Sequence, residues 1–364
     1  MKFESRLEHE PLDRAIARIA EAYGFHLPAV PLTRKALQED PELDVNTRAT
    51  AALLRADPPA KKTSLRWGAT RRGSGTTLAF AILSSRHAIS HAIVVKTAAS
   101  ILERAGYSEL VVGVSSIGDQ ESKRRFTREL GNFFKKHAAA VSADILKRAQ
   151  TDLDAAYREV LASGGELADR LPRPIDHLSE PSRKTMVDTL HLFESVGIEY
   201  SLEPHLPAAR GVHAELLFAI SAIAPNGSRV TAATGGRLDE LAKRAGIASV
   251  GHSVGLALTV DEAIATEPPG DTVSCFVIHV GEAAKLKSFT LLDSLSQANI
   301  AVRNALLADS LREQMEEARR LGAKYIAIIG QREAIDNTVI IRNIETGAQQ
   351  AVPRERIASA VSRR

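Results

Sequence analysis

ADSLREQMEEARRLGAKYIAIIGQREAIDNTVIIRNIETGAQQAVPRERI, residues 308–357, is the stretch on which the reading of this chain turns. A charged, helix-favouring run leads into the short apolar run YIAIIG, and a second, β-branched run, TVIIRNIET, follows. Upstream, SCFVIHV and NIAVRNALL are strand-like with a helix between them, and a last helix closes the chain. Strands alternating with helices in this way predict a small α/β domain over 272–364. EPPGD, at 267–271, is the clearest linker and precedes it.

The rest of the chain is organised differently. EPLDRAIARIAEAYG (10–24) and NTRATAALLRA (46–56) carry helical spacing, with the proline-rich, extended FHLPAVPLT between them. TSLRWGA and TTLAFAILSS read as an antiparallel hairpin whose tip, TRRGSG (70–75), is basic. A long helix from Ile89 to Gly106 and the strand ELVVGVS complete a first part over 1–118, and LLFAISAIA and SRVTAATG belong to a second over 201–266. Residues 119–200 are almost wholly helix-favouring and read as an insertion between the two. The expectation is an α+β core with an antiparallel sheet, a helical insertion and a C-terminal α/β domain.

Composition narrows the function classes. The chain has 364 residues, 44% hydrophobic and 25% charged, which suits two or three domains. A net charge of +3 is compatible with a nucleic-acid partner but does not point to one. Cys275 is the only cysteine, which excludes a disulfide framework and a cysteine-based zinc site. No apolar run approaches the ~18–20 residues of a membrane span, and MKFESRLEHE lacks a signal peptide's apolar region, so a cytoplasmic protein without a membrane partner is expected.

Within 308–357, Leu311, Arg312 and Gln314, then Gly322 to Tyr325, then Gly330 and Glu333, then Glu345 to Gly347 stand in a fixed order. Together they resemble the anticodon-binding domain of histidyl-tRNA synthetases. The resemblance continues upstream. AYGFHLPAVPL, with Pro31, looks like the first signature of class II aminoacyl-tRNA synthetases, which forms the dimer interface in that class. VNTRATAALLRA is similar to the family's Leu-Arg-Pro-Glu-Gly-Thr-Ala segment, LRWGATRRGSGTTLAF to its second signature, and SVGHSVGLALTV (249–260) to its third. SSIGDQESKRRF, PHLPAARGVHAELLF and ATGGRLDEL are similar to its stretches leading into the insertion, recognising histidine and carrying Ala-Gly-Gly-Arg. The resemblance implies a class II synthetase-like core, a homodimer through the N-terminal motif, and tRNA or another structured RNA as partner.

Aligned residue by residue, the resemblance also implies a stripped catalytic site. Arg66 matches the second-signature arginine, beside Trp67, but Gly68 replaces the glutamate that receives adenine. Ser74 and Thr76 replace loop arginines, while Arg71 and Arg72 keep that loop cationic. In the third signature Ala257 and Leu258 replace glutamate and arginine, and the segment reads as a strand, a turn at Gly251 and Gly255, and a helix start. The arginine of the histidine-recognition stretch falls on Ala208, unless Arg210 and Gly211 restore it, and its paired tyrosines become Val212 and His213. Asn46 and Arg48 replace an arginine and a glutamate, leaving Thr50 matched. Adenylation depends on guanidinium and magnesium charge placed where the transition state needs it, and losing one such group costs ~10²–10³ in rate. With at least four missing, no cofactor is expected. ATP and magnesium enter only if rearranged arginines (Arg210, Arg71, Arg72) make an active histidine–tRNA ligase; a third reading is a regulatory subunit of histidine biosynthesis.

The residues left as ligand candidates are Arg66, Trp67, Arg71, Arg72, Gly235, Gly236 and Gly255 for a nucleotide, with Arg66 and Arg210 as catalytic remnants. For RNA they are Arg312, Gln314, Lys324, Gln331 and Glu333, with Arg319 and Arg320 as further phosphate contacts. Each has a plainer reading. Arg66 also suits a structural ion pair, the glycines suit tight strand packing, and Gln331 to Glu333 suit a strand cap. His252 reads as a packed histidine; His87 and His91, spaced i, i+4, lack the further ligands of a metal site. KRRFTRE and FFKKH offer a nucleic-acid face or a solvated one.

Overall fold

A computed structural model describes residues 11–28, 32–56, 63–206, 212, 214–247, 252–262, 264, 272–308 and 310–362. The core begins with α1 (Leu12–Ala22) and α2 (Val45–Arg55), then the hairpin β1 (Ser64–Arg72) and β2 (Gly75–Leu83), α3 (Ile89–Arg104) and β3 (Ser108–Gly118). A helical segment follows: α4 (Gln120–Lys136), α5 (Ala143–Thr151), α6 (Leu153–Ser163), α7 (Glu166–Asp169) and α8 (Glu180–Ser195). The core resumes with β4 (Tyr200–Leu202), β5 (Ala214–Ile223), β6 (Arg229–Arg237), α9 (Asp239–Arg244) and β7 (Val254–Val260). These strands form one seven-stranded sheet in the order β1-β2-β7-β6-β5-β3-β4, antiparallel except for β3 with β4.

The alternation in β7 explains its place. Val254, Leu256, Leu258 and Val260 point to one face with α1, α3 and α8, while Ala257 points to the other with α2 and α9. Large residues on one side and Gly255, Ala257 and Thr259 on the other give period two, so the segment is a central strand through Val260. The turn and helix start expected there are corrected; Gly251 lies outside the described residues. The hairpin also differs from expectation. β1 and β2 pair up to Arg72 with Gly75, so Arg71 and Arg72 are strand residues and the turn is Gly73-Ser74 alone.

α4 to α7 pack on their own small core, with Leu130, Phe133, Phe134, Val141, Ala156, Val160 and Leu171 buried. Side-chain caps from Asp119, Ser142 and Asp152 start α4, α5 and α6. α8 returns to the main core through Met186 and Phe193.

The C-terminal unit comprises β8 (Cys275–His279), α10 (Glu282–Gln297), β9 (Val302–Asn304), α11 (Leu311–Arg320), β10 (Tyr325–Ile329), α12 (Gln331–Asp336), β11 (Thr338–Asn343), β12 (Gln349–Pro353) and α13 (Ile357–Ser362). Its sheet runs β12-β11-β10-β8-β9, parallel at β9-β8-β10 and antiparallel beyond. Two of these elements, α12 and β12, went unread in the sequence. α11 covers one face through Ala318, against Phe276, Ile278 and Ile326. Cys275, Val277, Ala327 and Ile329 on the other face join α10 and the main core, which runs unbroken through both sheets.

α1 lies between the two units. Seven of its eleven residues are buried, and it packs on α3, α10 and β9. The class II resemblance places a dimer interface here, yet within one chain the helix is already covered. No helix among the described residues is long and apolar enough to cross a membrane.

Candidate functional site

The resemblance directs attention to the sheet face beneath α2 and α9. Small residues in β1, β6 and β7 leave room on that face, and other side chains occupy the room. A methyl group at Gly68 would stand 3.3 Å from Leu32 Cβ and 3.5 Å from a methyl of Leu53. At Gly255 it would meet Leu238 Cδ1 at 2.5 Å, the Phe80 carbonyl at 2.8 Å and Thr50 Cγ2 at 2.9 Å. Leu32, Leu53, Leu238, Leu241 and Ala257 belong to one buried apolar cluster. Leu32 and Leu53 thus pack on Gly68, and Leu238 and Thr50 on Gly255.

The candidate groups around that face are spent. Arg66 is 3% exposed and donates from Nε to Ser64 Oγ at 3.2 Å. Trp67, one residue on, points to the opposite face and stacks on Phe80 with ring centroids 6.2 Å apart; it is therefore corrected from a nucleotide platform to a core residue. Gly235 and Gly236 face backbone, against the Gly255 and Leu216 carbonyls, so they serve strand packing and are corrected as ligand residues. Gly255 is corrected likewise. Asn46 donates to Thr234 Oγ1 at 3.2 Å, and Arg48 turns away to the Leu37 carbonyl at 3.0 Å. Leu258 sits in the core on the far face. Arg71 and Arg72 are exposed near the hairpin turn. Arg210 lies outside the described residues, as do Pro31, Ala208, Gly211 and His213.

A polar groove of about 370 Å³ lies at the sheet end beside the hairpin turn. Asp44, Asn46, Arg72, Tyr107, Ser228 and Asp261 line it among others. A single guanidinium facing two carboxylates is a poor match for a triphosphate. Among the described residues no group of three His, Cys, Asp or Glu side chains is placed to hold a metal ion.

At the other end of the central strands the charge is structural. Arg237, 4% exposed, donates from Nε to Asp239 Oδ2 at 3.1 Å and from Nη1 to Glu215 Oε2 at 3.2 Å, and it touches His252 Nδ1. Asp239 also accepts from the Ser253 amide at 2.7 Å, tying α9 to β7. Burial, and then the charge of Arg237, lower the pKa of His252. His91 is buried edge-on to Phe218 at 5.7 Å, with Nδ1 3.2 Å from the Ala88 carbonyl. Burial first and Arg237 second bring its pKa down to about 4. The Arg237–Asp239 pair was readable from its i, i+2 spacing on a strand end; Glu215, from a distant strand, carried no local signal.

In the C-terminal unit the RNA candidates separate. Gln314 is 1% exposed; its Oε1 accepts from the His279 amide at 2.9 Å and its Nε2 donates to the His279 carbonyl at 3.0 Å. It holds the end of β8 and is corrected from an RNA contact to a brace. Glu333 accepts from the Gly330 amide at 2.9 Å, capping α12, so it too is corrected; Gln331 opens that helix and does not end a strand. Arg312 is exposed and paired with Glu316 at 2.8 Å. Arg312, Gln331 and Arg332 share the C-terminal edge of the parallel strands with exposed Val280, Leu311 and Ile335. Lys324, at the opposite edge, lies 5.7 Å over the Tyr325 ring.

Comparison with known proteins agrees with this architecture. The anticodon binding domain family model matches residues 274–364. The histidine–tRNA ligase of Bacillus velezensis is 27% identical over 278 residues, covering 74% of this chain, and that of Bacillus subtilis is 26% identical over 275 residues, covering 73%. The chain is histidyl-tRNA synthetase-like. The apo histidyl-tRNA synthetase of S. aureus matches 98% of this chain and 96% of its own with a TM-score of 0.50 at 19% identity, which supports the class II synthetase-like fold. Each of the two Bacillus alignments reaches 65% of the relative's own length. The histidyl-tRNA synthetase-like fold thus surrounds a sheet face packed with leucine.

Proposed function

We propose that this chain is a non-catalytic histidyl-tRNA synthetase-like protein that binds tRNA or another structured RNA and forms no aminoacyl adenylate. The filled sheet face carries the reading: Leu32, Leu53 and Leu238 stand over Gly68 and Gly255, where a bound nucleotide and amino acid would need room. Opening it would expose buried leucine and still leave Ala257 and Leu258 without charge for the phosphates. RNA binding is supported by the anticodon binding domain match and by two surfaces. One is the strand edge bearing Arg312, Gln331 and Arg332. The other is α4, where Phe126, Leu130, Phe133 and Phe134 turn inward and Arg124, Arg128, Lys135 and Lys136 are exposed.

Histidine-dependent ATP–pyrophosphate exchange together with filter binding of a tRNA pool tests this. We expect exchange at background, and RNA affinity that falls steeply as salt rises. Exchange that Arg66→Ala abolishes would overturn the reading and restore an active ligase.

A further inference from the structure

We propose that the polar groove at the sheet end binds a free basic α-amino acid, a molecule carrying one carboxylate and two cationic groups. Separate elements meet there. Asp44 caps the start of α2, Arg72 ends β1, Asp261 follows β7, Tyr107 stands between α3 and β3, and Asn226 belongs to the β5–β6 turn. At about 370 Å³ the groove falls in the lower part of the ~300–1,000 Å³ range of small-molecule sites. None of Leu32, Leu53 and Leu238 lines it, and neither does any residue of the two surfaces assigned to RNA.

The charges along the groove select the ligand. Arg72 and Asp261 are opposite in sign, yet among the described residues neither forms an ion pair. Opposite charges held apart across a cavity leave both ends open to a dipolar molecule. Asp44 accepts from the Thr47 amide at 3.0 Å and from the Thr47 hydroxyl. A carboxylate offers about four acceptor sites, so it can take a cation as well. Burial first and the charge of Asp261 second raise the Tyr107 pKa, which keeps its hydroxyl a donor. That hydroxyl is held only at 3.4 Å, by the Thr259 carbonyl. One guanidinium and two carboxylates match a lysine- or arginine-type zwitterion, with the α-carboxylate on Arg72 and the two cations on Asp44 and Asp261. Val45, Val230 and Ala232 offer an apolar stretch for the methylene chain between those charges. A neutral zwitterion would leave one carboxylate unanswered, and a diamine would set a cation against Arg72.

Titration calorimetry on the whole chain with L-lysine and L-arginine tests the site. L-norleucine, which lacks the side-chain cation, cadaverine, which lacks the carboxylate, and L-histidine serve as controls. Above its ring pKa of about 6.5, histidine has lost its second cation. We expect one or both basic amino acids to saturate the protein in the millimolar range or below, and each control to bind about tenfold more weakly or worse. Asp261→Asn and Arg72→Gln, both at exposed positions, should each weaken binding by about tenfold or more while the urea midpoint stays at its wild-type value. Saturation by neither basic amino acid, or a control that binds as tightly as they do, overturns the proposal. So does affinity that both substitutions leave unchanged, or that falls only with a lowered midpoint.

Discussion

Gly255 has no room for a side chain, and that single position summarises the chemistry of the sheet face. A methyl group there collides with Leu238, Thr50 and the Phe80 carbonyl. Gly255→Ala should therefore destabilise the chain by about 2–3 kcal/mol, read from the urea midpoint, because backbone cannot yield as a side chain can. His91 makes a different prediction. Burial, reinforced by Arg237, holds its pKa at about 4 in the folded chain, against an ordinary value of 6.5. The unfolded chain binds the extra proton first, so stability is present above pH 6.5 and is lost as pH falls towards 4. The stability difference between the wild type and His91→Gln should shrink over that window, by up to about 1.4 kcal/mol per pH unit. The sequence shows Gly68, Ala257 and Leu258 at positions where the family resemblance implies charged residues. The packing of Leu32 and Leu53 on Gly68 was not legible, because Leu32 arrives from a segment far from β1 and no spacing rule connects them.

Elements carry the next set of consequences. β7 was misread because its glycines drew attention to turns, although alternating large and small residues already spelled a strand buried on both faces. Gln314 was misassigned for the converse reason: a polar residue on a charged helix looks exposed, yet α11 turns it inward to β8. Gln314→Leu would strand the amide and the carbonyl of His279 together, at a cost of about 2–4 kcal/mol in thermal or urea unfolding. On α4 the sequence showed cations interleaved with acids. In the folded helix Arg125 pairs with Glu121 and Arg128 stands 3.7 Å from Glu129, while Arg124, Lys135 and Lys136 pair with no acid among the described residues. If α4 meets an RNA backbone, replacing those three by glutamate lowers the slope of log affinity against log salt by about 2–3. An unchanged slope would place RNA elsewhere.

At the scale of the whole molecule, alternation of strand and helix was enough to foresee an antiparallel core, a helical segment and a C-terminal α/β unit. It was silent on how the units meet, because Arg18, Tyr23, Lys96 and Asp293 look in sequence like ordinary surface polar residues. Their burial depends on the approach of segments more than a hundred residues apart, beyond the reach of any local pattern. Because apolar packing continues from one sheet to the other, neither half is finished alone. Cutting the chain after Ile264 would bare Tyr23 and Lys96 on one fragment and Phe289, Leu292 and Asp293 on the other. Each fragment would then present a greasy, mispaired scar to water, and precipitation or chaperone capture is the expected fate. Attempts to assign RNA recognition by expressing the final third by itself would thus report on an injured surface, whereas point changes within the intact polypeptide keep that wound closed.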